Sequence, residues 1–127
     1  MSKLAAEKNF ETRLKKWLQT KGIYPLGTPG DKMDVKPIGY YEKRFANRMT
    51  KSGLPDMHIS IKGMSIEAEI KAEDGHPSKM QLFMINQIIT AGGFAFVVYP
   101  SGFEKFKKFI EGLIREEYTR EIEVILQ

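Results

Sequence analysis

A chain of 127 residues, 42% hydrophobic and 28% charged, has the make-up of one folded domain rather than of a disordered segment. It has no cysteine and only two histidines, which excludes a disulfide framework, a thiolate metal site and a cysteine nucleophile, and argues against structural zinc. Twenty Lys plus Arg against sixteen Asp plus Glu give a formal charge of +4, compatible with a polyanionic partner and equally with ordinary solubility.

In chain order, Phe10, Leu14, Trp17 and Leu18 recur at helical spacing with charged residues opposite, and Gly22 follows as a stop. This predicts a first helix. The stretch from Ile23 to Ser52 reads as irregular, broken by Pro25, Gly27, Pro29, Gly30, Pro37 and Gly39. Inside it Lys43, Arg44, Arg48 and Lys51 form a basic window free of acids, a candidate nucleic-acid contact. From Asp56 to Lys71 apolar and polar residues alternate on both sides of Lys62-Gly63, the pattern of a hairpin. Ser78-Lys79-Met80-Gln81 has the form of a capping box opening a second helix, which Gly92-Gly93 ends. Phe94 to Tyr99 is an apolar run suited to a buried strand. After Pro100, Ser101 and Glu104 form a second capping-box pattern, opening a helix whose apolar face is Phe103, Phe106, Ile110 and Leu113. Glu121 to Leu126 reads as a final edge strand. The order α-β-β-α-β-α predicts an α/β fold, a mixed sheet flanked by helices, in one domain over 1–127. Apolar runs are short and Met1-Ser2-Lys3 leads into charged residues, so the expectation is a cytoplasmic protein with no membrane span and no secretion signal.

The register of the hairpin carries the chemistry. With Lys62-Gly63 as a two-residue turn, Ile61 faces Met64, His58 faces Glu67 and Asp56 faces Glu69. Directly opposed residues have Cβ atoms about 4.5–5.5 Å apart, so two carboxylates meet on the polar face, with Lys71 beyond Glu69. Unscreened, they repel. A divalent cation resolves the conflict, and two carboxylates plus waters suit Mg²⁺. The competing reading is a solvated polar face, for which Glu-Ala-Glu-Ile-Lys alternation is equally suited. His58 and Glu67 fit that second reading, and His76, in a turn before Pro77, reads as structural. Gly27 to Lys32 lacks the spacing of a Walker loop.

Ser52-Gly53-Leu54-Pro55-Asp56 followed by Ile66-Glu67-Ala68-Glu69-Ile70-Lys71 resembles the PD-(D/E)XK nuclease signature. The chain is more closely similar to stand-alone VRR-NUC (virus-type replication-repair nuclease) domains of phages and bacteria. The resemblance runs on through Gly75, Pro77, Ser78 and Gln81 to Ala91-Gly92-Gly93 and Phe94 to Ser101, and upstream to Glu11 on the first helix. It covers nearly the whole chain. The stretch from Pro25 to Tyr40 departs from it, making the segment between Gly22 and Asp56 longer than the family pattern.

The resemblance implies a Mg²⁺- or Mn²⁺-dependent endonuclease that hydrolyses DNA phosphodiesters, with branched DNA such as a Holliday junction as substrate and a homodimer as the acting form. On it, Asp56 and Glu69 hold the metal with Glu11 and the Ile70 backbone carbonyl, while Lys71 orients the attacking water. Three of these positions also have structural readings. Lys71 fits a salt bridge to Glu69 or Glu67, Glu11 fits an i,i+4 pair with Lys15, and Gln81, placed by the resemblance at the site edge, fits a helix cap. Glu7, one turn before Glu11, is the alternative acid on that helix. Met80, Phe83, Met84, Ile88 and Ile89 read as core or interface. Two other functional classes stand beside the nuclease: a non-catalytic nucleic-acid-binding module using the basic window, and a plain structural or interaction protein.

Overall fold

The computed structural model describes residues 2–45 and 52–126, with side chains described up to residue 115. Helix α1 (Lys3–Thr20) starts where the Ser2 hydroxyl accepts the Ala5 N–H at 3.1 Å, and it buries Phe10, Leu14 and Leu18 along one stripe. Two strands follow in the stretch expected to be irregular, β1 (Ile23–Pro25) and β2 (Gly39–Lys43), which pair in parallel. Their short runs hold β-favouring Ile23, Tyr24, Tyr40 and Tyr41, too few between prolines and glycines to mark strands. They form because β2 lies antiparallel on β3 (Met57–Ile61), giving its backbone groups partners. The connection between β1 and β2 holds a single 3₁₀ turn, Gly30–Lys32, and is pinned where the Tyr24 hydroxyl accepts the Val35 N–H at 2.8 Å and donates to its carbonyl at 3.0 Å.

The hairpin of β3 and β4 (Met64–Ile70) has the expected register, with Ile61 opposite Met64 and His58 opposite Glu67. Its turn places Lys62 at φ 47° and Gly63 at φ 88°, the positive pair of a type I′ turn that matches the strand twist. Helix α2 (Lys79–Thr90) has both halves of the Ser78–Gln81 capping box. Strand β5 (Phe94–Val98) pairs in parallel with β4. The sheet order β1-β2-β3-β4-β5 puts β5 at an edge, so it is covered on its faces and not on both flanks.

Helix α3 (Phe103–Leu126) departs from expectation at both ends. Its predicted Ser101–Glu104 box is replaced. A 3₁₀ turn over Pro100–Gly102 feeds the helix, and Glu73, from the loop after β4, accepts both the N–H and the hydroxyl of Ser101. Glu104 pairs instead with Lys107 at 3.1 Å. At the other end, Glu121 to Leu126 continues the helix rather than forming an edge strand. After Gly112 the sequence offers no Gly or Pro stop and many strong helix formers.

The result is an α/β arrangement with a five-stranded mixed sheet flanked by helices. The apolar stripe of β3 and β4 (Met57, Ile59, Ile61, Met64, Ile66, Ala68 and Ile70) packs in one core with α1 and with Phe103, Phe106, Ile110 and Leu113 of α3. Edge-to-face contacts of Phe10 with Phe103 and of Trp17 with Phe106 join the two helices. Helix α2 covers the opposite face, where Gln81 reaches Glu69. Among the described residues, no helix is long and apolar enough to cross a membrane.

Candidate active site

The predicted site residues gather at one end of the sheet, where β3 begins and β4 ends. Asp56 stands just before β3, and its two carboxylate oxygens have different partners. Oδ1 accepts the Ile70 N–H at 3.1 Å, and Oδ2 is 3.2 Å from the Lys43 ammonium. The observed register, with Met57 opposite Ala68, sets Asp56 beside Glu69 at this end of the sheet. Gln81 of α2 reaches Glu69, Glu11 of α1 reaches Lys43, and the Lys71 ammonium lies between Glu69 and the acids of α1.

Glu69 is the most constrained group, only 3% exposed. Its Oε2 accepts from the Gln81 amide at 3.1 Å and lies 3.5 Å from the Lys71 ammonium. Its Oε1 is buried with no partner. Burial, reinforced by the charge of Asp56 and opposed by Lys71, pushes the Glu69 carboxyl up from its ordinary 4.5 to about 7. Burial also raises Asp56, against the pull of Lys43. A carboxyl shifted this far by burial and a neighbouring charge is a candidate functional group, a signal that structural ion-pair networks share.

Gln81 caps α2 and also touches Glu69. Its Oε1 accepts the Ser78 N–H at 2.7 Å as a helix cap, which leaves its Nε2 free to grip Glu69. Glu11 makes the i,i+4 pair with Lys15 at 3.0 Å and also lies 2.5 Å from Lys43, the cation beside Asp56. Burial works to raise the Glu11 carboxyl, but hydrogen bonds from Lys43 and Lys15 outweigh it and hold it below the ordinary range. Glu7 faces the same group of charges. Burial raises its carboxyl, Lys71 and Lys43 oppose the rise, and Asp56 and Glu11 add to it.

The basic window divides. Arg48 and Lys51 lie outside the described residues. Lys43 and Arg44 are turned inward rather than displayed. The pull of Glu11 and Asp56 raises the Lys43 ammonium despite burial that would lower it. Arg44 clamps Glu67 with Nη1 at 2.5 Å and Nη2 at 3.0 Å, and donates to the Pro55 carbonyl at 2.9 Å. His58 Nδ1 adds a contact to Glu67 at 2.8 Å. Glu67, expected to be solvated, is buried in this network. The opposed pair His58–Glu67 was visible in the register. Its partner Arg44 was not, because the local signal of β2 was too weak to mark a strand.

Two features of the donor set suit a divalent ion. An acceptor taken out of water and given no donor, such as Glu69 Oε1, costs about 1–3 kcal/mol or more, which a cation removes. The oxygens offered are hard carboxylate donors, the preference of Mg²⁺, Mn²⁺ and Ca²⁺ rather than of softer metals. Among the described residues no three His, Asp or Glu side chains are gathered closely enough to hold a metal unaided. Mg²⁺ needs fewer, since it keeps several waters and takes one or two carboxylates. No family model matches the chain, and no curated protein matches its sequence.

Proposed function

We propose that this chain is a Mg²⁺- or Mn²⁺-dependent DNA endonuclease of the PD-(D/E)XK type with a VRR-NUC-like domain, acting on branched DNA. The observation that carries the reading is Glu69, buried beside Asp56 and Lys71 with one carboxylate oxygen unpartnered. Asp56 and Glu69 would hold the ion, with Glu11 and the Ile70 carbonyl as further oxygen donors. The bound ion supplies an activated water and polarises the phosphoryl oxygen.

The chain's own residues do the remaining work. Burial and the Gln81 amide fix the Glu69 rotamer, so the carboxylate is oriented before any ligand arrives. The Ile70 N–H holds Asp56 toward β4. Lys71 brings an ammonium that offsets charge developing on the phosphate and orients the attacking water. The Arg44–Glu67–His58 network braces the strand ends carrying Asp56 and Glu69, as Arg44 bonds Pro55, the residue before Asp56. The acting form is proposed to be a homodimer. Exposed Met80, Leu82, Phe83 and Ile89 on α2 supply apolar surface for it, and a two-fold pair of sites suits symmetric cutting of a junction.

A non-catalytic DNA-binding module remains the second reading, favoured by one observation: Lys43 already compensates Glu11 and Asp56 without a metal. Incubating the protein with four-way junction, flap and linear duplex DNA, in Mg²⁺, Mn²⁺ or EDTA, separates the two. The nuclease reading predicts metal-dependent cuts with the junction preferred. Salt-sensitive binding with no product in any metal would leave only the binding module. A monomer mass by light scattering at micromolar concentration would remove the dimer.

A further inference from the structure

Lys43 is placed where neither a phosphate contact nor a strand-end lysine needs it. It is the last residue of β2, on the face toward α1, and its ammonium lies 2.5 Å from Glu11 and 3.2 Å from Asp56. These two acids come from different elements, and Lys43 is the cation that joins them. Its side chain is only 19% exposed, and the pull of the two carboxylates holds it charged. Meanwhile the neighbouring acid, Glu69, keeps one buried oxygen outside hydrogen-bonding geometry, although the Asp56 N–H lies near its carboxylate. A cation is thus resident at one half of the acidic group, and the other half is left unsatisfied.

We infer that Lys43 is a positioning residue that acts as a resident counter-ion: a divalent cation must displace its ammonium from Asp56 and Glu11 before binding. This rests on the metal-site reading above and adds to it a competition built into the free protein. Displacement strands the Lys43 charge unless an anion receives it, and a substrate phosphate is the anion that would. Metal and nucleic acid then bind with positive coupling, each raising the affinity of the other by the same factor. The free protein stays weak for metal, and the site loads when DNA is present.

The test is calorimetric titration of Ca²⁺, a hard oxygen-seeking cation, into wild type, Lys43→Met, Lys43→Arg, Lys15→Met and Glu69→Gln, each with and without a four-way junction. Lys15 also pairs with Glu11, at 3.0 Å, so Lys15→Met is a matched removal of one positive charge. Lys43→Met should bind Ca²⁺ about tenfold or more tightly than wild type without DNA, the order expected for removing a charge that touches two ligands. Lys15→Met should change affinity far less, and Lys43→Arg should stay near wild type. Adding the junction should tighten Ca²⁺ binding more in wild type than in Lys43→Met. Denaturant melts of each variant establish that it is folded. Loss of binding in Glu69→Gln together with unchanged or weaker binding in Lys43→Met would overturn the counter-ion role and leave the metal site standing. Equal tightening by Lys43→Met and Lys15→Met would overturn it too, reducing the effect to bulk charge. No Ca²⁺ binding by any variant, Lys43→Met included, would overturn both.

Discussion

Replacing Glu69 by Gln keeps the side chain's shape and removes a charge that the fold holds against its preference. The carboxyl is lifted by burial and by Asp56 from 4.5 to about 7. A carboxyl raised in the folded state binds its proton more tightly there than in the unfolded chain. Its contribution is therefore most favourable below pH 4.5, and stability declines as pH rises from there through about 7. One pKa unit corresponds to about 1.4 kcal/mol, so ionised Glu69 opposes folding by about 3 kcal/mol above that window. The amide gives up the attraction of Lys71 at 3.5 Å but keeps an acceptor for Gln81. A net gain of about 2 kcal/mol is the expectation for Glu69→Gln at about pH 8 in EDTA, falling to near zero at about pH 5. Urea unfolding at the two pH values measures it, since the difference between wild type and variant cancels the titrating groups that do not interact with Glu69. Divalent metal should then stabilise wild type and not the variant. Equal effects of the substitution at both pH values, or destabilisation at high pH, would refute the reasoning that Glu69 is held charged at a cost to the fold.

Other substitutions test the braces around the site. Arg44→Met leaves Glu67 buried without its two guanidinium bonds and should cost about 2–3 kcal/mol in urea unfolding, with a larger loss in cleavage than in DNA binding. Gln81→Ala removes the capping box and the Glu69 contact together, and should cost about 1 kcal/mol while slowing kcat without a matching rise in KM. Gly53→Ala is strained twice. Gly53 has φ +84°, and a Cβ there would stand 2.8 Å from the Met80 carbonyl, so the loop before Asp56 must part from the start of α2. A loss of at least about 1–2 kcal/mol is expected by thermal or urea unfolding.

The hairpin was legible because period-two alternation and a Lys-Gly turn are local signals, and they fixed which residues face one another. The same holds for α1, with Phe10, Leu14 and Leu18 one turn apart, and for the Ser78–Gln81 cap. What the sequence hid depends on distant partners. Strands β1 and β2 exist through pairing with each other and with β3, and Pro25, Pro37 and Gly39 mask that pairing locally. With β2 unseen, Lys43 and Arg44 read as a displayed basic window, although the strand carries one to Glu11 and Asp56 and the other to Glu67. The Ser101–Glu104 pattern was a real cap signal that lost to Glu73, which reaches the same N–H from another loop. The end of the chain from Glu121 was misread because alternation over six residues cannot outweigh a helix that no breaker has stopped.

Asp56, Glu69 and Lys71 are proposed to form a metal-dependent phosphodiester-cleaving site. Single-turnover cleavage of a labelled four-way junction in Mn²⁺ by wild type and Lys71→Ala tests it most directly, with junction binding measured in Ca²⁺. Wild type should cleave in a reaction that EDTA abolishes, and Lys71→Ala should be at least about a hundredfold slower, with binding changed little. Wild-type rates in Lys71→Ala, or cutting that persists in EDTA, would contradict it.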